Sequence, residues 1–201
     1  MMITSAIFAR ATSSRCDSMG KLLLISGTNG SGKSRYAESF IAKTTGLRYY
    51  VATMEPQTQE NQRRIRKHIA QRSGLNFITL EQPTQVGTAP VAADSVVLLE
   101  DVSNLLGNTL FSARSTMEDA WQDILALRKR CKLLVAVTIS GLSSGGYDGE
   151  TAAYIENLNI LNRRLLDLAD AAVTMKNNCP VWEKGAEHDI LEIPSGGPVH
   201  L

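Results

Sequence analysis

Short apolar runs recur along the chain at residues 21–26, 47–53, 76–80, 95–99, 132–139 and 171–175. Each reads as a strand, with 21–26, 95–99 and 132–139 buried and 76–80 and 171–175 short. Segments of helical period fall between them. Tyr36, Ala37, Phe40 and Ile41 mark a helix over 33–45, and residues 57–72 read as a basic helix after Pro56. Residues 116–130 read as a further helix. In 150–169 the residues Ala153, Ile155, Leu158, Leu161, Leu165 and Leu168 supply the apolar side of a long one. Residues 84–93 read as a loop or a poorly marked helix, and 140–149 as a flexible loop. After 175 the pattern predicts only a tail containing Pro194 and Pro198. Continuous apolar strands alternating with helices predict an α/β fold: a mainly parallel sheet with helices on both faces.

The composition narrows this picture. The chain has 201 residues, 43% apolar and 20% charged, with 21 Lys plus Arg against 20 Asp plus Glu. That supports one domain with a real core. The near balance gives no global reason to expect nucleic acid, so any anion affinity is local. No stretch is apolar for long enough to predict a membrane span. Cys16, Cys131 and Cys179 show no metal-ligand spacing and do not make a paired framework, which predicts free thiols and a cytoplasmic setting. Residues 1–18 are rich in Ser, Thr and Ala and lack periodicity. They read as a disordered extension, with a single nucleotide-binding domain over 19–201.

The nucleotide enters through one motif. Gly27, Thr28, Asn29, Gly30, Ser31, Gly32, Lys33 and Ser34 fit G-x-x-x-x-G-K-[ST] between a predicted strand and a predicted helix. Glycines let backbone N–H groups turn around phosphate oxygens, and the helix N-terminus adds its dipole. Lys33 reaches the outer phosphates, and the Ser34 hydroxyl is placed to ligate Mg²⁺. The expected fold is therefore P-loop NTPase-like. Such a loop needs an acid at the end of a neighbouring buried strand, and Glu100 or Asp101 supplies it. Glu100 directly follows the apolar run and is the better candidate for the metal; the competing reading has both acids capping the next helix.

Residues 60–72 add a second candidate. Arg64, His68 and Arg72 are spaced by four and share one row of the predicted helix, beside the stripe of Ile65 and Ile69. Flanking cations keep an imidazole neutral and able to act as a nucleophile. A solvated basic face with an incidental histidine accounts for the same spacing.

Taken in order, several segments resemble one family, the bifunctional adenosylcobinamide kinase / adenosylcobinamide-phosphate guanylyltransferases of cobalamin biosynthesis. The glycine loop continued through Glu38 is similar to that family's first signature. The run Tyr50 to Pro56 resembles its second-strand motif, and Arg64, Ile65, His68 and Arg72 its R-I-x-x-H-x-x-x-R segment. Phe77, Thr79, Glu81 and Pro83 resemble W-x-T-x-E-x-P, with Phe for Trp. Leu98 to Glu100 with Asn104, and Tyr154, Leu158, Asn162 and Asp170, are similar to its acid-ending strand and late helix.

The resemblance implies two reactions. A nucleoside triphosphate, ATP or GTP, phosphorylates the aminopropanol hydroxyl of adenosylcobinamide. GTP then donates GMP to that phosphate through a guanylylated histidine, which here is His68. It also implies a nucleotide site that includes Arg64, Arg72 and Glu81, and a homotrimer. The sequence departs from the family where T-N-E-V-G is usual: Thr138 is followed by Ile139, Ser140 and Gly141. That departure keeps open a P-loop kinase for another small alcohol, or a GTP-binding module lacking one or both activities.

Overall fold

The computed structural model describes residues 19–55, 59, 61–63 and 74–191. Seven strands form one sheet: β1 (Lys21–Gly27), β2 (Arg48–Ala52), β3 (Phe77–Glu81), β4 (Val96–Glu100), β5 (Leu133–Ile139), β6 (Ala171–Lys176) and β7 (Cys179–Lys184). Their order is β3-β2-β4-β5-β1-β6-β7. All neighbours are parallel except β6 and β7, which form an antiparallel hairpin.

Successive strand residues point to opposite faces, and in β1, β4 and β5 both faces are covered, which is why those strands read as unbroken apolar runs; β3, at the sheet edge, is largely exposed. Leu22, Leu24, Val97, Leu99, Leu134 and Ala136 lie on one face. They pack there with residues of α2 (Val102–Gly107), α3 (Met117–Lys129) and α4 (Gly149–Leu168). Leu23, Ile25, Leu98, Val135 and Val137 face the other way, onto Ala37, Phe40 and Ile41 of α1 (Lys33–Ala42) and Ile190 of α5 (Glu187–Ile190). Of the predicted stripe in α4, Ile155, Leu158, Leu161 and Leu165 are buried, Leu168 is half-buried, and Ala153 is exposed.

β1 sits between β5 and β6, with Leu23 paired to Val135 on one side and to Ala171 on the other. Its start is fastened by the buried Arg128 of α3. The guanidinium donates to the Gly20 carbonyl at 2.6 Å and to Asp170 Oδ2 at 2.8 Å, and the same carboxylate oxygen accepts from the Leu22 N–H at 2.7 Å. A side chain at Gly20 would drive its Cβ into the Cys131 carbonyl oxygen, so glycine is required at this approach.

The C-terminal region departs from the sequence expectation. The tail expected after 175 instead forms β7 and α5. Pro180 lies within β7, an edge strand, where a missing N–H does no harm. Residues 84–93 hold only a 3₁₀ turn at Val86–Thr88. Beyond α2 the chain continues into a π-helical turn, Asn108–Ser112, that no sequence signal announced. Most of the predicted basic helix over 57–72 lies outside the described residues.

Candidate phosphate-binding site

The C-terminal ends of β1 and β4 bring the site together. β1 ends at Gly27, and α1 begins at Lys33, so the loop between them closes on the helix N-terminus. Gly27 and Gly32 have φ of +152° and +87°. Their conformation and their crowding both demand glycine. A Cβ on Gly27 would stand 2.8 Å from the Met175 carbonyl oxygen, and one on Gly32 would stand 2.6 Å from Asn178 Oδ1. Thr28, Asn29 and Gly30 are exposed, and Ser31 is buried.

Lys33 is only 8% exposed. Its ammonium donates to the Thr28 carbonyl at 2.7 Å, back across the loop. Burial lowers the ammonium's pKa, and the charges of Asp101 and Glu100 oppose that fall. The cation is thus held where phosphate oxygens would meet it.

The two acids at the end of β4 divide the roles the sequence left open. Glu100 Oε1 accepts a 2.6 Å hydrogen bond from Ser34 Oγ. Its Oε2 is buried and has no hydrogen-bond partner among the described residues. Burial pushes this carboxyl up to about 8; the Asp101 charge adds to the rise and the Ser34 hydrogen bond opposes it. Asp101 is the N-cap of α2, and its charge still acts on Lys33. Its Oδ1 accepts from the Asn104 N–H at 2.7 Å and from Ser103 Oγ at 2.6 Å. The capping alternative is therefore correct for Asp101, and Glu100 is left pointing at Ser34.

A buried carboxylate oxygen without a partner, beside a serine hydroxyl at the start of a phosphate-loop helix, fits Mg²⁺. The serine lone pair and the carboxylate suit a hard cation that keeps several waters and takes phosphate oxygens for its remaining ligands. No group of three or more His, Cys, Asp or Glu suited to a metal occurs among the described residues.

The acid turn has supports that sequence reasoning did not assign. Thr53, wholly buried just beyond β2, accepts from the Asp101 N–H at 2.8 Å, and its hydroxyl lies 3.0 and 2.8 Å from the carbonyl oxygens of Glu100 and Asp101. Asn108 donates to the Thr53 carbonyl at 2.7 Å and to the Pro83 carbonyl at 3.0 Å, tying the ends of β2 and β3 to the π-helical turn. Thr53 lay inside a motif quoted for its resemblance. Asn108 carried no local signal, because its role depends on segments far away in sequence.

At the end of β5, Asn162 of α4 clasps both Thr138 and the following carbonyl: Thr138 Oγ1 donates to Asn162 Oδ1 at 2.7 Å, and Asn162 Nδ2 donates to the Ile139 carbonyl at 2.8 Å. Ser140 N–H donates to the Gly27 carbonyl at 3.0 Å. The segment that departs from T-N-E-V-G is thus docked on the phosphate loop by its backbone. Glu81 ends β3, exposed, in register with Ala52 and Glu100 across the sheet. It stands two strand spacings, about 10 Å, from Glu100. His68, Arg64 and Arg72 lie outside the described residues.

The comparisons with known proteins bear on this geometry. A family model described as cobinamide kinase / cobinamide phosphate guanyltransferase matches residues 23–181. The chain belongs to that family. The match runs from inside β1 to inside β7 and takes in the glycine loop, both acids and the β6–β7 turn. The family is one of transferases in cobalamin biosynthesis. No curated protein matches the chain. Among solved structures, the chain is similar to an ATPase from the type III secretion system of pathogenic bacteria. That likeness has a TM-score of 0.49 and 10% identity, and covers 79% of this chain and 51% of that one. It is also similar to a DnaB-like replicative helicase, with a TM-score of 0.42 and 8% identity, covering 81% and 55%. The chain spans about half the length of these two structures. No helix among the described residues is long and apolar enough to cross a membrane.

Proposed function

We propose that the chain phosphorylates adenosylcobinamide and then guanylylates the product. In the first step the aminopropanol hydroxyl attacks the γ-phosphorus of ATP or GTP. The bond to the β,γ-bridging oxygen breaks, the hydroxyl proton is lost, and a nucleoside diphosphate leaves. The loop N–H groups and Lys33 hold the phosphate chain, and Ser34 and Glu100 hold Mg²⁺. When bound, the metal neutralises charge on the outer phosphates. In the second step neutral His68 attacks the α-phosphorus of GTP and pyrophosphate leaves. The resulting phosphoramidate passes GMP to the cobinamide phosphate, giving adenosylcobinamide-GDP and restoring the imidazole. Arg64 and Arg72, and Glu81 at the far end of the same sheet edge, complete the nucleotide site in this reading, and the subunits assemble as a homotrimer in the cytoplasm.

The observation that carries the reading is the Ser34–Glu100 pair beneath a glycine loop in a chain of this family. The test is α-labelled GTP with Mg²⁺. Wild type should take an acid-labile, base-stable label and pass it to cobinamide phosphate. His68→Ala should bind GTP and phosphorylate cobinamide but take no label. Labelling of His68→Ala at the wild-type level removes His68 as the nucleophile. GTP that binds to wild type without reacting favours the binding module, to which the Thr138–Ile139–Ser140 departure points.

A further inference from the structure

The β6–β7 hairpin closes against the phosphate loop at both of the loop's outer glycines. Met175, near the end of β6, lies over Gly27, and Asn178, in the turn, lies over Gly32. The register pairs Lys176 with Cys179, so the turn consists of Asn177 and Asn178 alone. Both have positive φ, 51° and 61°, as a type I′ turn requires and as asparagine tolerates. A two-residue turn of this kind matches the twist of its strands and holds its side chains in place. Asn178 is exposed, and its carboxamide makes no hydrogen bond to a described residue. A polar group is thus held rigidly at the edge of the phosphate loop with its bonding capacity unspent.

The sheet order decides which part of a nucleotide it would meet. Glu100 is on β4, to one side of β1; the hairpin is on the other. Ser34 and Glu100 would hold Mg²⁺, and such a metal would neutralise the outer phosphates, so this pair marks the outer-phosphate end. The nucleoside must therefore leave the loop on the side away from β4, toward the hairpin.

We propose that Asn178 is a specificity-determining residue that contacts the nucleoside half of the bound triphosphate and takes part in selecting its base. The proposal rests on the nucleotide-binding reading of residues 27–34. A carboxamide offers two donors and an acceptor side by side, which matches the donor and acceptor pattern along a purine edge.

The test compares equilibrium binding of GTP, ATP and inorganic tripolyphosphate to the full chain with Mg²⁺. It uses wild type, Asn178→Ala and Asn178→Gly, the last of which keeps the positive φ of the turn without the carboxamide. Both variants should bind the preferred nucleotide roughly three- to tenfold more weakly, the loss of one net hydrogen bond. The ratio of GTP to ATP affinity should move toward one, and tripolyphosphate should bind as before. Unchanged nucleotide affinities in both variants overturn the proposal, and so does an equal loss for tripolyphosphate. A wild-type chain that binds none of the three overturns the loop reading itself along with it.

Discussion

On the β4 flank of the glycine loop, Thr53, Ser103, Asn104 and Asn108 lock the acid turn through hydrogen bonds that reach side chains. On the β6–β7 flank the turn is held by strand pairing and backbone conformation, and the exposed Asn178 carboxamide lies over Gly32. The difference follows from burial. A carboxylate taken out of water must be held by a network or it protonates or moves. An exposed amide needs no such network, so its position can be fixed by the chain alone. The flank that carries the acids is stiffened by side chains, and the flank that carries the Asn178 amide by the backbone.

The sharpest way to break this comparison is to remove the cation between the two flanks. Lys33→Ala should weaken GTP binding by about one to two orders of magnitude, the range for hydrogen bonds from a charged donor, and should abolish turnover. Its melting temperature should stay near that of wild type. Titration calorimetry and thermal melts decide this, and wild-type affinity in the folded variant refutes the loop assignment.

Glu100→Gln separates function from stability on the acid flank. The native carboxyl titrates at about 8, above its ordinary 4.5. A raised acid pKa means the folded state holds its proton more tightly than the unfolded chain. The stability this contributes is fully present below about 4.5 and is lost as pH rises through about 8. Wild type and Glu100→Gln, both without nucleotide, should therefore melt together near pH 5. Near pH 9 the variant should melt higher by roughly ten degrees, the response of a chain this size to the roughly 4 kcal/mol that a rise from 4.5 to about 8 implies. Its Mg²⁺-dependent phosphoryl transfer should fall steeply. A variant less stable than wild type at pH 9 would place the carboxylate in a stabilising role instead.

Asp101 gives the smallest effect and the cleanest contrast. Asp101→Ala removes the cap of α2 and should cost about 1 kcal/mol, read as a drop of a few degrees in melting temperature. Asp101→Asn should keep most of that stability, since asparagine caps as well as aspartate. Loss of Mg²⁺-dependent transfer in folded Asp101→Asn, comparable to that of Glu100→Gln, would show that the two acids share the metal.

How much of this was legible in the sequence depends on how local each feature is. The glycine loop, the strand that ends in Glu100 and the middle of the α4 stripe, Ile155 to Leu165, are written in consecutive or regularly spaced residues, and they fold as the pattern predicts. β7 was missed because Pro180 and exposed polar residues disguise an edge strand. The available signal was the Asn177–Asn178 pair between two short β-like runs. The division between Glu100 and Asp101 could not be read, because it turns on which carboxylate meets Ser34 and which meets the N–H of Asn104. Thr53 and Asn108 work only once β2, β3 and α2 have been brought together.

The central place of β1 also sets the order in which the molecule can be assembled. β2, β3 and β4 pair among themselves and can do so once about the first half of the chain has been made. β1 is synthesised first, yet both its partners come late: β5, and then β6 far beyond it. Arg128 and Asp170, which fasten its start, are equally distant. Pairings that span so much chain are slow to form, since loop closure comes before any gain in contact. The glycine loop hangs from β1, so it takes its final shape only when the hairpin beside it has left the ribosome. Nascent chains truncated before β6 should not yet hold the phosphate pocket, and nucleotide can stabilise this protein only at the last stage of its making.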